Sequence, residues 1–130
     1  MTLNNLTAIV TGGCSGLGHA TAIALRAAGA NVSLFDLNEE LGAKRVEELG
    51  KDNTLFTKVD VRDEAQVQSA IDATTKAFGS IALLVNCAGI APAKRLLDRE
   101  GNPAPLGDFQ TTIDINLVGS FNVARLVAAA

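Results

Sequence analysis

The residues best suited to chemistry in this 130-residue chain are glycines. In "TGGCSGLG" (residues 11–18), Gly12, Gly16 and Gly18 punctuate one short segment, with Gly13 as an extra. The strict G-x-G-x-x-G pattern is absent, yet the physical requirement it serves is met. A tight turn follows an apolar run, the backbone can approach a ligand closely, and a helical pattern then opens with free N–H groups. Those groups and the helix dipole favour a pyrophosphate. A plain strand–helix turn also uses glycine, so the argument for phosphate rests on where the cluster stands.

Asp36 ends the second apolar run, where a carboxylate would accept hydrogen bonds from an adenosine ribose. It would also repel a 2′-phosphate, and no Lys or Arg follows within the next few residues. The pair of signals favours NAD over NADP, although Asp36 alone reads equally as a solvated turn aspartate. Asp60-Val61 follows the third run, at the sheet edge where an adenine would lie. Asp60 could accept from the adenine amino group while Val61 packs or offers its N–H; a simple strand–helix turn explains the pair as well. "NCAG" (residues 86–89) follows the fourth run, where small Ala88 and Gly89 let a cofactor come close to the backbone.

Positioning these residues requires alternating strands and helices, and the hydrophobic pattern supplies them. "LTAIVT" (residues 6–11) is β-rich. Leu17, Ala20, Thr21, Ala24 and Ala28 recur at helical spacing until Gly29. "NVSLFD" (31–36) is a second strand, and Asn38 is placed to cap a helix beginning at Glu39 and Glu40 and ending at Gly50. "TLFTKVD" (54–60) is a third strand. Asp63 with Gln66 forms a capping-box pair for a helix that runs to Gly79. "IALLVN" (81–86) is a nearly all-apolar fourth strand, as expected for a parallel strand buried on both faces. A charged, Pro- and Gly-containing loop over 87–107 leads to a long final helix from about Asp108. The order predicts an α/β fold: a doubly wound, Rossmann-type parallel sheet with strand order 3-2-1-4, in one domain over residues 1–130.

Composition bounds the function classes. Hydrophobic content is 48% and charged content 19%, as in an ordinary globular core, with a net charge of −3. No Lys/Arg cluster recommends a nucleic-acid partner, and no apolar run is long enough to cross a membrane. Cys14 and Cys87 lie far apart with no secretory signal before them, which suits a reducing, cytoplasmic compartment. Both read as small packing residues rather than a redox pair, and no metal site is assigned. His19 reads as solvated rather than catalytic. Lys94, Arg95 and Arg99 could touch an anionic substrate such as a CoA ester; a solvated loop explains them equally.

Taken together, "TGGCSGLG", Asp36, "DV" at 60–61, "NCAG" and Asn116 within "DINLVGSFNV" resemble the short-chain dehydrogenase/reductase family. The resemblance covers essentially the whole chain. Within the family it is most similar to the type II 3-hydroxyacyl-CoA dehydrogenases, through "NCAGIA", the charged insertion after it, and "DFQ…NLVGSFNV". The resemblance implies that Ser15 and Leu17 contact the pyrophosphate region, that Cys87 lies beside the cofactor, and that Asn116 helps position a water and a catalytic lysine. It also implies a secondary-alcohol substrate, an acyl-CoA among the candidates, and a dimer or tetramer.

The family's chemistry uses a tyrosine as general acid–base, a lysine four residues later and a serine, all beyond the helix on which this chain stops. The chain contains no Tyr and no Lys after Lys94. Losing a general acid–base group typically lowers a rate by ~10²–10⁴, so these residues alone are not expected to turn over substrate. The expectation is the N-terminal, NAD-binding half of a longer enzyme; the alternative is a non-catalytic NAD-binding or interaction module. Either way, strand four should present an apolar edge. Ile113, Leu117, Val118, Phe121 and Leu126 should form either core or half of a subunit interface.

Overall fold

Four strands and the helices between them follow the expected order, in a computed structural model that describes residues 2–130. They are β1 (Thr7–Thr11), α1 (Gly16–Ala27), β2 (Asn31–Asp36), α2 (Glu39–Leu49), β3 (Thr54–Lys58), α3 (Glu64–Phe78) and β4 (Ile81–Asn86). After a long loop come α4 (Leu106–Ile113), a π-helical stretch (Asp114–Gly119) and α5 (Ser120–Ala129). All strand pairs are parallel and the order is β3-β2-β1-β4. The carboxyl ends of the strands, and hence the loops carrying the candidate residues, share one edge of the sheet.

Side chains alternate across a strand, and the core divides accordingly. Ala8, Val10, Val32 and Leu34 pack with Ala22 and Leu25 of α1 on one face. Ile9 and Phe35 pack on the other with Val59, Val61, Val67 and Ile71, closed by Val123 of α5. The helix ends obey local chemistry. Asn38 accepts from the Leu41 N–H at 3.0 Å, with Glu39 and Glu40 in the first turn. Asp63 accepts from the Gln66 N–H at 3.0 Å. The reciprocal arm of the expected capping box is redirected: Gln66 Oε1 accepts from the Asp60 N–H at 2.9 Å, while the Asp63 N–H donates to the Asp60 carbonyl. The cap of α3 is thereby tied to the turn that carries Asp60.

The third strand stops at Lys58, short of the expected Asp60, because only Val59 N–H still reaches β2, at the Asp36 carbonyl. Strands β3 and β4 are the two edges of the sheet. Ala82 and Leu83 are exposed, and the register with β1 slips between Thr7 and Ala8, an irregularity of the kind that blunts edge-to-edge pairing.

The final helix departs most from expectation. It starts at Leu106 and widens into π geometry over Asp114–Gly119. Two contacts sit at the widened turns. Asn116 is bonded sideways to the backbone of Ile90, and Gly119 lies so close that an added Cβ would stand 2.5 Å from Val61 Cγ2. A π-bulge accommodates both without breaking the helix. Of the five apolar residues expected on one face, Leu117, Val118 and Phe121 remain exposed, while Ile113 and Leu126 are half-buried. Asn122 and Val123 make the buried contact instead, Asn122 donating to the Val61 carbonyl at 2.9 Å.

Candidate cofactor site

A cleft of about 400 Å³ opens at the carboxyl edge of the sheet. Its floor is the glycine loop: Gly12, Ser15, Gly16, Leu17 and Gly18 all line it. Gly12 has φ +62°, and a Cβ there would lie 2.9 Å from the Ala88 backbone. Gly18 is needed for another reason, since a Cβ would stand 2.1 Å from the Gly12 carbonyl oxygen. At Gly16, with φ +51°, the space around an added Cβ is open. The first two glycines let the loop fold onto its neighbours, and the third leaves room at the mouth of the helix.

The amino terminus of α1 differs electrostatically from those of α2 and α3. Ser15 is its N-cap residue but makes no side-chain cap, and the first turn has no acid. By contrast, α2 and α3 each carry a capping side chain and at least one glutamate in the first turn. Among the described residues, no side chain caps the α1 terminus and no acid stands in its first turn, which leaves that end open to an anion. Leu17 is 83% exposed above this opening.

Asp36 lines the same cleft with its carboxylate held in place. Oδ2 accepts from the Cys14 N–H at 3.0 Å and Oδ1 from the Asn38 N–H at 3.2 Å. Each oxygen keeps a lone-pair direction for a further donor. Asp60 and Val61 line the cleft as well. Arg62, which sequence reasoning did not single out, claims Asp60: its Nη2 lies 2.7 Å from Oδ2 and its Nε 3.0 Å from Oδ1. These hydrogen bonds hold the Asp60 carboxyl below its usual range. A ligand amino group would meet Asp60 only on the lone pairs that Arg62 leaves. Val61 is buried, and its carbonyl is taken by Asn122.

Cys87, Ala88 and Gly89 complete the wall. They are fastened to β1 by Thr11, a second residue that sequence reasoning passed over. The Thr11 hydroxyl, fully buried, accepts from the N–H groups of Cys87 and Ala88, each at 3.1 Å. The available signal was a hydroxyl at the last position of an otherwise apolar buried strand. Asn116 does not line the cleft but holds its rim. Its Oδ1 accepts from the Ile90 N–H at 2.8 Å and its Nδ2 donates to the Ile90 carbonyl at 2.7 Å. The side chain is thus engaged in a two-point clamp on the segment after β4.

The cysteines differ. Cys14 is fully buried and its thiol is pushed up to about 12, first by burial and then by the Asp36 charge. It is a packing residue. Cys87, half-buried, faces the cleft. His19 corrects an expectation: it is not solvated. Its side chain is 15% exposed, wedged between α1 and α2 with Nε2 3.4 Å from Glu48 Oε1. Lys94 pairs with Asp108 at 3.1 Å. The insertion around it is ordered by Asp98, whose carboxylate accepts from the N–H groups of Glu100 and Asn102. Among the described residues, no helix is long and apolar enough to cross a membrane.

Known proteins share this fold. Residues 6–130 match the family model described as short chain dehydrogenase. The 3-hydroxyacyl-CoA dehydrogenase type-2 of Homo sapiens is 43% identical over 127 residues, 97% of this chain and 48% of that protein. That of Drosophila melanogaster is 46% identical over 97% of this chain and 49% of the relative. The crystal structure of 3-hydroxyacyl-CoA dehydrogenase type-2 from Mycobacterium avium superposes with a TM-score of 0.89 at 40% identity, covering 98% of this chain and 51% of that one. The chain spans about half the length of the curated relatives it matches. With the family match running from the first strand to the last residue, the chain belongs to the short-chain dehydrogenase family.

Proposed function

We propose that this chain is the NAD-binding half of a dehydrogenase that oxidises a secondary alcohol, with 3-hydroxyacyl-CoA as substrate and 3-ketoacyl-CoA as product. The observation that carries the reading is Asp36, a carboxylate fixed by two peptide N–H groups at the edge of a cleft whose helix terminus is uncapped. Such a carboxylate suits a ribose diol and opposes a 2′-phosphate. Gly12, Gly16, Gly18 and Ser15 would hold the pyrophosphate, Asp60 and Val61 the adenine side, and Cys87, Ala88 and Gly89 the nicotinamide side. Bound NAD would supply the hydride acceptor. The chain's own part is to fix the cofactor and, through Asn116, the rim beside it.

The substrate class rests on the names of the relatives, two of which share 43% and 46% of aligned residues with this chain. The tyrosine that the family uses as general acid–base is not among these residues. The second reading is a non-catalytic NAD-binding or interaction module, and exposed apolar residues on the last helices favour it. The exposed residues Leu106, Phe109, Leu117 and Phe121 fit contact with a second copy of the protein. A reducing, cytoplasmic setting suits the two free thiols.

The test is to express the protein from its own gene, supply NAD and a short-chain 3-hydroxyacyl-CoA, and follow NADH. NADH formation supports the dehydrogenase. NAD binding with no hydride transfer from any secondary alcohol tried supports the module.

A further inference from the structure

Arg45 lies outside every motif discussed above, yet it reaches the glycine loop from α2. Its Nε donates to the Cys14 carbonyl at 3.1 Å, and its side chain is only 19% exposed. On the other side of the same residue, the Cys14 N–H donates to Asp36 at 3.0 Å. One loop residue is therefore held at both its peptide groups by opposite charges, a cation on the carbonyl and an anion on the N–H.

The Arg45 guanidinium is itself fixed. Nη1 lies 2.7 Å from Glu48 Oε2, and the other Glu48 oxygen faces His19 of α1. The His19 backbone N–H returns to the Ser15 carbonyl at 3.1 Å. The circuit runs from the loop through α2 to the first turn of α1 and back.

Peptide geometry gives this circuit a consequence. In a planar trans peptide the carbonyl of one residue and the N–H of the next point in opposite directions. Drawing the Cys14 carbonyl toward Arg45 turns the Ser15 N–H away from Arg45, and Ser15 and Gly16 are both cleft-lining residues. The geometry points to Arg45 as a positioning residue for the pyrophosphate: it never touches the ligand, but it aims the first loop N–H at it. The inference rests on the cofactor reading above and deepens it.

The test compares ligands with and without phosphate. Wild-type protein, R45M and R45K are titrated with NAD, ADP and adenosine by calorimetry, and by NMR for the weakest binder. R45M should lose about tenfold or more in affinity for NAD and ADP, the scale expected for a charge-assisted hydrogen bond, while adenosine stays within about twofold. R45K should fall between, since an ammonium can serve the Cys14 carbonyl or Glu48 but not both in the guanidinium's geometry. Unchanged ADP affinity in R45M overturns the inference. So does a parallel loss of ADP and adenosine, which marks a merely structural role. Should R45M fail to fold, R45K is judged by the same comparison of ADP with adenosine. Wild-type protein that binds neither NAD nor ADP refutes the cofactor reading itself, a result distinct from any difference between variants.

Discussion

Thr11→Val isolates the joint between the glycine loop and the β4 loop. The substitution keeps the β-branched shape and removes one hydroxyl. That hydroxyl accepts from the Cys87 and Ala88 N–H groups at 3.1 Å each and contacts Asn86 Oδ1 at 3.3 Å. Cys87 N–H retains a second acceptor, the Thr11 carbonyl at 3.2 Å, so only Ala88 N–H is left without one. An unsatisfied buried donor costs about 1–3 kcal/mol; Thr11 is fully buried but Ala88 only half-buried, so a loss of about 1–2 kcal/mol is expected by urea unfolding. Thr11→Ser keeps the acceptor and loses one methyl, about 0.8 kcal/mol by area. The same release should loosen the Cys87–Gly89 wall and weaken NAD binding in the valine variant more than in the serine variant. A valine variant as stable as wild type, or a serine variant that loses as much, would refute the reasoning.

Other expectations follow from single contacts. Gly18→Ala places a methyl 2.1 Å from the Gly12 carbonyl oxygen; overpacking of this kind costs about 1–3 kcal/mol, and thermal melting should show it together with lost NAD binding. Asp36→Asn should narrow the gap between NAD and NADP affinities, read by competition, because the charge that opposes a 2′-phosphate is gone. The Cys14 thiol, at about 12 in the fold against 9.0 for a free cysteine, bears on stability at alkaline pH. Unfolded chains ionise first, so stability should fall as pH rises from about 9 toward about 12, and Cys14→Ala should flatten that decline. Iodoacetamide near neutral pH should modify Cys87, which faces the cleft, before buried Cys14, and saturating NAD should slow the reaction.

Much of the site was legible because a parallel sheet gathers its carboxyl-end loops on one edge. Gly12, Asp36, Asp60 and Gly89 each stand at or within three residues of the end of a recognisable apolar run, so strand periodicity places those four on one edge, while Ser15, Leu17 and Cys87 were named through the family resemblance; all of these candidates line the cleft. What stayed hidden depends on partners that no local pattern encodes. Thr11 binds residues more than seventy positions away. Arg62 pairs with Asp60 two positions before it, yet the sequence did not say which way its side chain would turn. His19 looked solvated because a helix's first turn usually is; the approach of Glu48 from α2 buries it. The π-helical stretch coincides with the contact of Asn116 with Ile90 and the close approach of Gly119 to Val61, neither of which hydrophobic spacing reveals.

The central claim is that the glycine cleft takes NAD with its adenosine ribose against Asp36. Calorimetric titration of the protein with NAD and with NADP tests it most directly. The account predicts saturable one-to-one NAD binding at least about tenfold tighter than NADP binding, the scale of one charge-assisted contact won or lost. NADP binding as tightly as NAD, or binding of neither, would contradict it.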